Sequence, residues 1–209
     1  MKVVAFNGSP KKEGNTYQAI KMVAEELEKE GIEVEIIHVG NKTIKGCLAC
    51  NNCVKNKSNK CVTENDPVND WIQKMVEADG IIFGSPVYFS GIAGTMKSFL
   101  DRVFYIAGNG LLKSKVGVAV VAVRRSGGVA ALDQMNHYLQ YAQMLIPASN
   151  YWNVIHGRVP GEVSQDEEGK QIMRILGKNM AWLLKLVENG KGTIVEPDIE
   201  KKVFTNFVR

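Results

Sequence analysis

Histidine is scarce in this chain of 209 residues, with three in all. His38, His137 and His156 come with no identifiable partner, so each is read as structural or surface, and no histidine acid–base chemistry is assigned. No stretch approaches the roughly 18–20 consecutive apolar residues of a membrane span. The N-terminus runs straight into a strand pattern rather than a leader, and the expected setting is the cytoplasm. Like charges are not blocked: 26 Lys and Arg are interspersed with 22 Asp and Glu for a net charge of +4. That balance suits a phosphate-bearing ligand but is a weak argument for nucleic acid, and neither a nucleic-acid nor a membrane partner is expected. There is no internal repeat, linker or low-complexity tract. Cysteine is missing everywhere except between Cys47 and Cys61, where all four lie.

The rest of the chain is organised around its first sixteen residues. Val3 to Phe6 is almost wholly apolar, as expected for a strand buried on both faces of a parallel sheet. A loop with Gly8, Ser9, Pro10, Lys11, Lys12 and Gly14 follows, then Tyr17, Ile20, Val23, Ala24 and Leu27 at helical spacing. Asn15 or Thr16 is the expected N-cap, and Gly31 the residue that ends the helix. A loop leading from a central strand into a helix N-terminus is an anion site, because orphan N–H groups and the helix dipole face the ligand. Ser9, Asn15 and Thr16 offer side-chain hydrogen bonds, and Lys11 or Lys12 offers charge. The loop is neither of the common nucleotide motifs. Asn15 stands where the triphosphate loop needs lysine, and the glycines lack the G-x-G-x-x-G spacing of the dinucleotide fingerprint. A plain turn before a capped helix is the alternative reading.

Further along, Ile32, Val34 and Ile36 alternate with Glu33 and Glu35, a strand with one wet face near a sheet edge. A cysteine loop spans about residues 40–64. Asp66-Pro67 then opens an amphipathic helix bearing Val68, Trp71, Ile72, Met75 and Val76, with Pro67 at its first position. Gly80 to Gly84 is a central strand, Ser85 to Gly91 a loop, and Met96 to Phe104 a helix. Val116 to Val123 is a fourth strand ending in Arg124-Arg125-Ser126-Gly127-Gly128. A helix over Ala130 to Tyr141, a last strand within Met144 to Val154, a polar loop from Arg158 to Glu168 and a long helix closed by Gly190 complete the pattern. One α/β domain over 1–190 and a C-terminal arm over 191–209, packed on its own domain or on a second subunit, are expected.

This alternation of strand and helix implies a doubly wound parallel sheet with right-handed crossovers. Ligands on such sheets bind beyond the carboxyl ends of the strands. Three glycine- and hydroxyl-rich loops, after the first, third and fourth strands, are expected to share one ligand, with its phosphate on the first loop and a flat ring on the others.

Gly8-Ser9-Pro10, Gly14-Asn15-Thr16, Ser85-Pro86-Val87-Tyr88 and Lys97-Ser98-Phe99-Leu100-Asp101-Arg102 resemble the flavodoxin-like NAD(P)H-dependent FMN reductases. The cysteine loop resembles that of the archaeal and bacterial iron–sulfur flavoproteins. The resemblance covers about residues 1–190 and implies a five-stranded sheet of order 2-1-3-4-5. By that resemblance Ser9, Lys11, Asn15 and Thr16 hold the FMN phosphate, and Pro86, Val87, Tyr88, Phe89 and Gly91 line the ribityl chain and ring. Ser126, Gly127 and Gly128 approach the ring from the fourth-strand loop. Ordinary core packing is the other reading of Tyr88 and Phe89. NAD(P)H is the implied co-substrate, and no catalytic side chain is named, because hydride arrives at and leaves from the flavin.

Cys47-x2-Cys50-x2-Cys53 followed by Cys61 supplies the four thiolates that a 4Fe–4S cluster needs. The first three keep the bacterial ferredoxin spacing. The fourth comes after seven residues, and Val62 stands where proline usually follows. Zinc and reduced or disulfide-forming thiols are the alternatives. The expected protein is an FMN-dependent oxidoreductase fed by NAD(P)H or a ferredoxin-type donor. It would pass electrons to a quinone, flavin, nitro or azo compound, or oxygen. A non-enzymatic flavodoxin-like carrier is the rival, as is a regulatory protein without flavin. A homodimer or homotetramer is expected, since the ring would otherwise lie open to solvent.

Overall fold

The computed structural model describes residues 1–108 and 110–208. Arg209, the last residue of the expected arm, lies outside them. The chain opens with β1 (Lys2–Asn7), α1 (Asn15–Lys29) and β2 (Glu33–His38). The cysteine segment carries one short helix, α2 (Asn52–Lys55), and leads to α3 (Val68–Glu77). Then come β3 (Gly80–Tyr88), β4 (Gly91–Ile92), α4 (Gly94–Ala107) and β5 (Val116–Val123). The last elements are α5 (Gly128–Tyr141), β6 (Val154–His156) and α6 (Glu167–Gly190).

Five strands pair in parallel in the order β2-β1-β3-β5-β6, and β4 adds antiparallel to the end of β3. With β4 set aside, this is the 2-1-3-4-5 order of a flavodoxin-like sheet. The apolar runs are continuous because both faces are covered. Val3, Ala5 and Ile82 pack on one face with Ile20 and Leu27 of α1 and Leu176 and Met180 of α6. Val4, Phe6, Ile81 and Phe83 pack on the other with Trp71 of α3, Phe99 of α4 and Met135 of α5. Phe6 and Phe99 lie tilted against each other at 4.9 Å and Trp71 meets Phe99 edge-on at 5.3 Å. Each such buried ring contributes about 1.5–3 kcal/mol. β2 is the wet edge that its alternation predicts: Glu35 on it pairs with Lys74 at 2.5 Å and Lys2 at 3.2 Å.

Four local expectations change. Ser85 to Tyr88 is strand, not loop, and β3 turns at Phe89 and Ser90 into β4 as a two-residue hairpin. Proline in the run disguised the strand, and Pro86 is tolerated because it sits near the strand's end, opposite Ala122 of β5. The last strand shrinks to Val154–His156, with a separate bridge from Leu145 to Val116. Pro147 between the two lacks the N–H that a continuous ladder requires. Gly14, not Asn15 or Thr16, is the N-cap of α1, because the Asn15 side chain is taken up by a distant loop. Pro67 likewise caps α3 rather than entering it, with Asp66 Oδ1 accepting from the Val68 N–H. Gly31 ends α1 as expected, at φ +75°. No helix among the described residues is long and apolar enough to cross a membrane.

Candidate functional site

The loop after β1 is held from within. Asn7 is buried; its Oδ1 accepts from the Ser9 N–H at 3.0 Å and its Nδ2 donates to the Lys12 carbonyl at 3.0 Å. Ser9 Oγ accepts from the Lys11 N–H at 3.2 Å. His38, at the end of β2, donates from Nε2 to the Ser9 carbonyl at 2.7 Å. This histidine has a partner that sequence could not supply, because pairing of β2 with β1 brings it there.

Ser9, Lys11, Asn15 and Thr16 line one cavity of about 220 Å³ together with Pro86, Val87 and Tyr88. The first-strand and third-strand segments therefore share a rim of the sheet. Arg124, at the end of β5, and Arg158, beyond β6, join Lys11 in its wall, and no acidic side chain among the described residues lines it. Neither arginine was singled out from sequence; the only available signal was that Arg124 ends a central strand. Helix α1 enters the cavity without a side-chain cap and without an acidic residue in its first turn. Its first-turn N–H groups therefore face an anion-favouring space. Thr16 is 1% exposed, and its Oγ1 is buried with no hydrogen-bond partner among the described residues. Such an orphan costs about 1–3 kcal/mol unless a ligand satisfies it. Asn15 also lines the cavity, but both ends of its amide bind the 157–161 loop: Nδ2 donates to the Val159 carbonyl and Oδ1 accepts from the Gly161 N–H, each at 2.9 Å.

A second space of about 400 Å³ continues from the first, sharing Val87 and Arg124, and is lined by Phe89, Ser90 and Ser126. The hairpin tip above it has two left-handed residues, Phe89 at φ 49° and Ser90 at φ 63°. That is the turn geometry that usually asks for Asn-Gly. Its base is braced by Ser85, whose Oγ accepts from the Ala93 N–H at 3.0 Å and donates to the Pro86 carbonyl at 2.8 Å. Gly127, at φ +82°, lies so close to the hairpin that a Cβ on it would stand 2.8 Å from Ser90 Cα. Phe89 is wholly exposed, so its ring shields nothing within this chain. Gly127 and Gly128 line a neighbouring cavity of about 510 Å³ with Tyr151 and Trp152, and Ser126 borders both spaces. Gly91 sits in β4 against Gln134 and lines neither.

Cys47, Cys50, Cys53 and Cys61 come together around one small cavity of about 20 Å³ beside Arg102 and Tyr105 of α4. All four are free thiols. Burial pushes the Cys53 thiol up, with the nearby Cys47 and Cys50 adding to the effect. Cys47 Sγ accepts from the Ala49 N–H at 3.5 Å, the kind of N–H···S bond found around iron–sulfur sites. Among the described residues no three ligating side chains stand close enough to hold a single ion. Four thiolates are the donor set that a 4Fe–4S cluster would take, with Cys47, Cys50, Cys53 and Cys61 as the residues that would hold it.

The family model for NADPH-dependent FMN reductases matches residues 1–158. The chain belongs to the NADPH-dependent FMN reductase family. Within that family of FMN-binding proteins it stands near the iron–sulfur flavoproteins. It is 35% identical over 195 residues to an iron–sulfur flavoprotein of Methanocaldococcus jannaschii, covering 90% of this chain and 100% of the relative. An iron–sulfur flavoprotein of Archaeoglobus fulgidus is 32% identical over 209 residues, covering 98% of this chain and 90% of the relative. The reductase fold also matches RosB with bound 8-demethyl-8-formylriboflavin-5′-phosphate, at TM-score 0.72 and 15% identity over 100% of this chain and 94% of that one. A flavodoxin, WrbA-like protein from Agrobacterium tumefaciens matches at TM-score 0.61 and 17% identity, over 88% and 97%. Family membership makes the chain an oxidoreductase of the NAD(P)H-dependent FMN reductase type.

Proposed function

We propose that this reductase binds FMN with its phosphate in the 220 Å³ cavity and its ring in the adjoining space between the Phe89–Ser90 hairpin and Ser126. The observation that carries the reading is the orphaned Thr16 Oγ1 at an uncapped helix N-terminus, ringed by Lys11, Arg124 and Arg158 with no carboxylate in the wall. Bound FMN supplies hydride and electron transfer itself. The residues then bind and orient: Ser9, Lys11 and Thr16 the phosphate, Pro86, Val87 and Tyr88 the ribityl chain, and Ser126 the ring edge. Electrons would come from NAD(P)H or a ferredoxin-type donor and pass to a small acceptor such as a quinone, flavin, nitro or azo compound, or oxygen.

Four convergent thiols and an N–H···S bond support a 4Fe–4S cluster on the cysteine loop. The relatives named iron–sulfur flavoproteins point the same way. Such a cluster would let the protein divide two-electron transfers into single ones. Exposed Phe89, and Val195, Val203, Phe204 and Phe207 on the arm, support a homodimer or homotetramer.

One anaerobic preparation tests the reading. Two resolved visible flavin bands, a broad shoulder that bleaches on reduction, and steady-state NAD(P)H oxidation are expected. A colourless protein overturns the flavin site. A flavin-loaded protein that oxidises no nicotinamide, yet exchanges electrons with a reduced ferredoxin, turns the assignment to a carrier.

A further inference from the structure

Resting on the cluster reading above, we propose that Arg102 is a fifth protein partner of the cluster, donating from Nε–H to the sulfur-rich group that the four cysteines carry. Arg102 rises from α4 and is 1% exposed, heading the largest fully buried side chains of the core. Burying a guanidinium is expensive unless its donors are met. Two of its nitrogens are met: Nη1 pairs with Asp66 Oδ2, and Nη2 donates to the Thr63 carbonyl at 2.9 Å. Nε is buried and has no acceptor among the described residues.

The same side chain forms part of the wall around Cys47, Cys50, Cys53 and Cys61. Two other acceptors there are already taken. Asn51 Oδ1 accepts from Tyr105 Oη, and the Thr63 carbonyl already serves Arg102. Sulfur is the acceptor this cavity has in excess. A hydrogen bond to cluster sulfur stabilises the more negative, reduced state and raises the potential.

The arrangement around Arg102 serves the same end. Arg102 and Tyr105 stand three residues apart on α4 and so share a face. Tyr105 holds Asn51, next to Cys50, while Arg102 holds Thr63 and Asp66, just past Cys61. Asn69 clamps Cys61 from below, its Oδ1 accepting from the Cys61 N–H at 2.8 Å and its Nδ2 donating to the carbonyl at 2.9 Å. One helix thus fixes both limbs of a loop that has little secondary structure of its own. Arg102 closes the run Lys97 to Arg102, which takes no part in the flavin cavities.

The test needs no variant to fold. Wild-type protein made with arginine carrying 15N in its guanidinium, reduced and examined by pulsed EPR, is expected to show 15N coupling to the cluster. Arg102→Lys keeps a positive charge but loses the fork and the Nε donor. It is expected to abolish the coupling and to shift the oxidised-to-reduced ratio at fixed potential at least tenfold toward oxidised, about 59 mV for a one-electron couple. No coupling in iron-loaded wild type overturns the proposal, as does an unchanged midpoint in iron-loaded R102K of wild-type flavin content. A wild type holding FMN but no iron and sulfide overturns the cluster reading, and this proposal with it.

Discussion

Asn15 Oδ1 accepts a hydrogen bond from the Gly161 N–H at 2.9 Å, joining the first residue of α1 to a loop 146 positions away. With its companion bond from Nδ2 to Val159, this closes the Arg158 side of the 220 Å³ cavity over the helix N-terminus. Asn15→Ala removes both bonds, each worth about 0.5–1.5 kcal/mol. It is expected to weaken FMN binding roughly tenfold, 1.4 kcal/mol being a factor of ten. Asn15→Asp keeps the acceptor, loses the donor and adds a negative charge beside the phosphate, so it is expected to weaken binding further. Flavin fluorescence recovered on titrating apoprotein reads both.

Thr16→Val separates ligand binding from folding. It replaces an orphaned buried hydroxyl with a methyl of similar size, so the apoprotein is expected to gain up to about 1–3 kcal/mol. FMN loses a donor at the same time and is expected to bind about tenfold more weakly. Urea midpoints of the apoprotein should rise while flavin affinity falls. Two changes of the same sign would mean that Thr16 Oγ1 does not face the ligand.

Gly127→Ala places a Cβ against Ser90 and puts a non-glycine residue at φ +82°. The backbone strain alone is about 1–2 kcal/mol. Ser90→Gly, at φ 63°, is expected to stabilise by up to about 1 kcal/mol on the same ground and to relieve part of the overlap. The double variant should therefore be less unstable than the two single effects added together. Denaturant unfolding of all four proteins measures that coupling.

Glu35 gives a pH dependence of definite sign. Hydrogen bonding to Lys74, against a smaller opposing effect of burial and with Lys2 assisting, holds its carboxyl below the usual carboxylate value. A carboxyl depressed in the folded state adds stability that is fully present above its unfolded pKa and is lost as pH falls through the folded one. Glu35→Gln is expected to lower thermal stability slightly at pH 7 and to leave it unchanged at a pH below both values. The difference between the two melting curves should fade across the acid range.

Much of the fold could be read from local pattern. Val3 to Phe6 and Val116 to Val123 are strands because unbroken β-branched and aromatic runs fit a doubly covered sheet. Glu33 and Glu35 marked the wet edge. Pattern failed where proline interrupted it, at Pro86 inside β3 and at Pro147 before β6, because a missing N–H forbids a central ladder but not a strand end. In the site, Ser9, Lys11, Asn15, Thr16, Pro86, Val87 and Tyr88 were nameable beforehand, and they line one cavity. Gly91, placed with them from sequence, lies in β4 instead.

Sequence alone determined the strand–helix alternation, the glycine- and hydroxyl-rich loop after β1, the cysteine spacing and the family, since each is written in neighbours a few positions apart. The meeting of Arg124 and Arg158 with Thr16, the turn of His38 toward Ser9, and the burial of Arg102 beside four thiols were decided only by tertiary structure. Those contacts depend on strand register and on which face each crossover covers, and a charged side chain carries no periodic mark of the partner it will find.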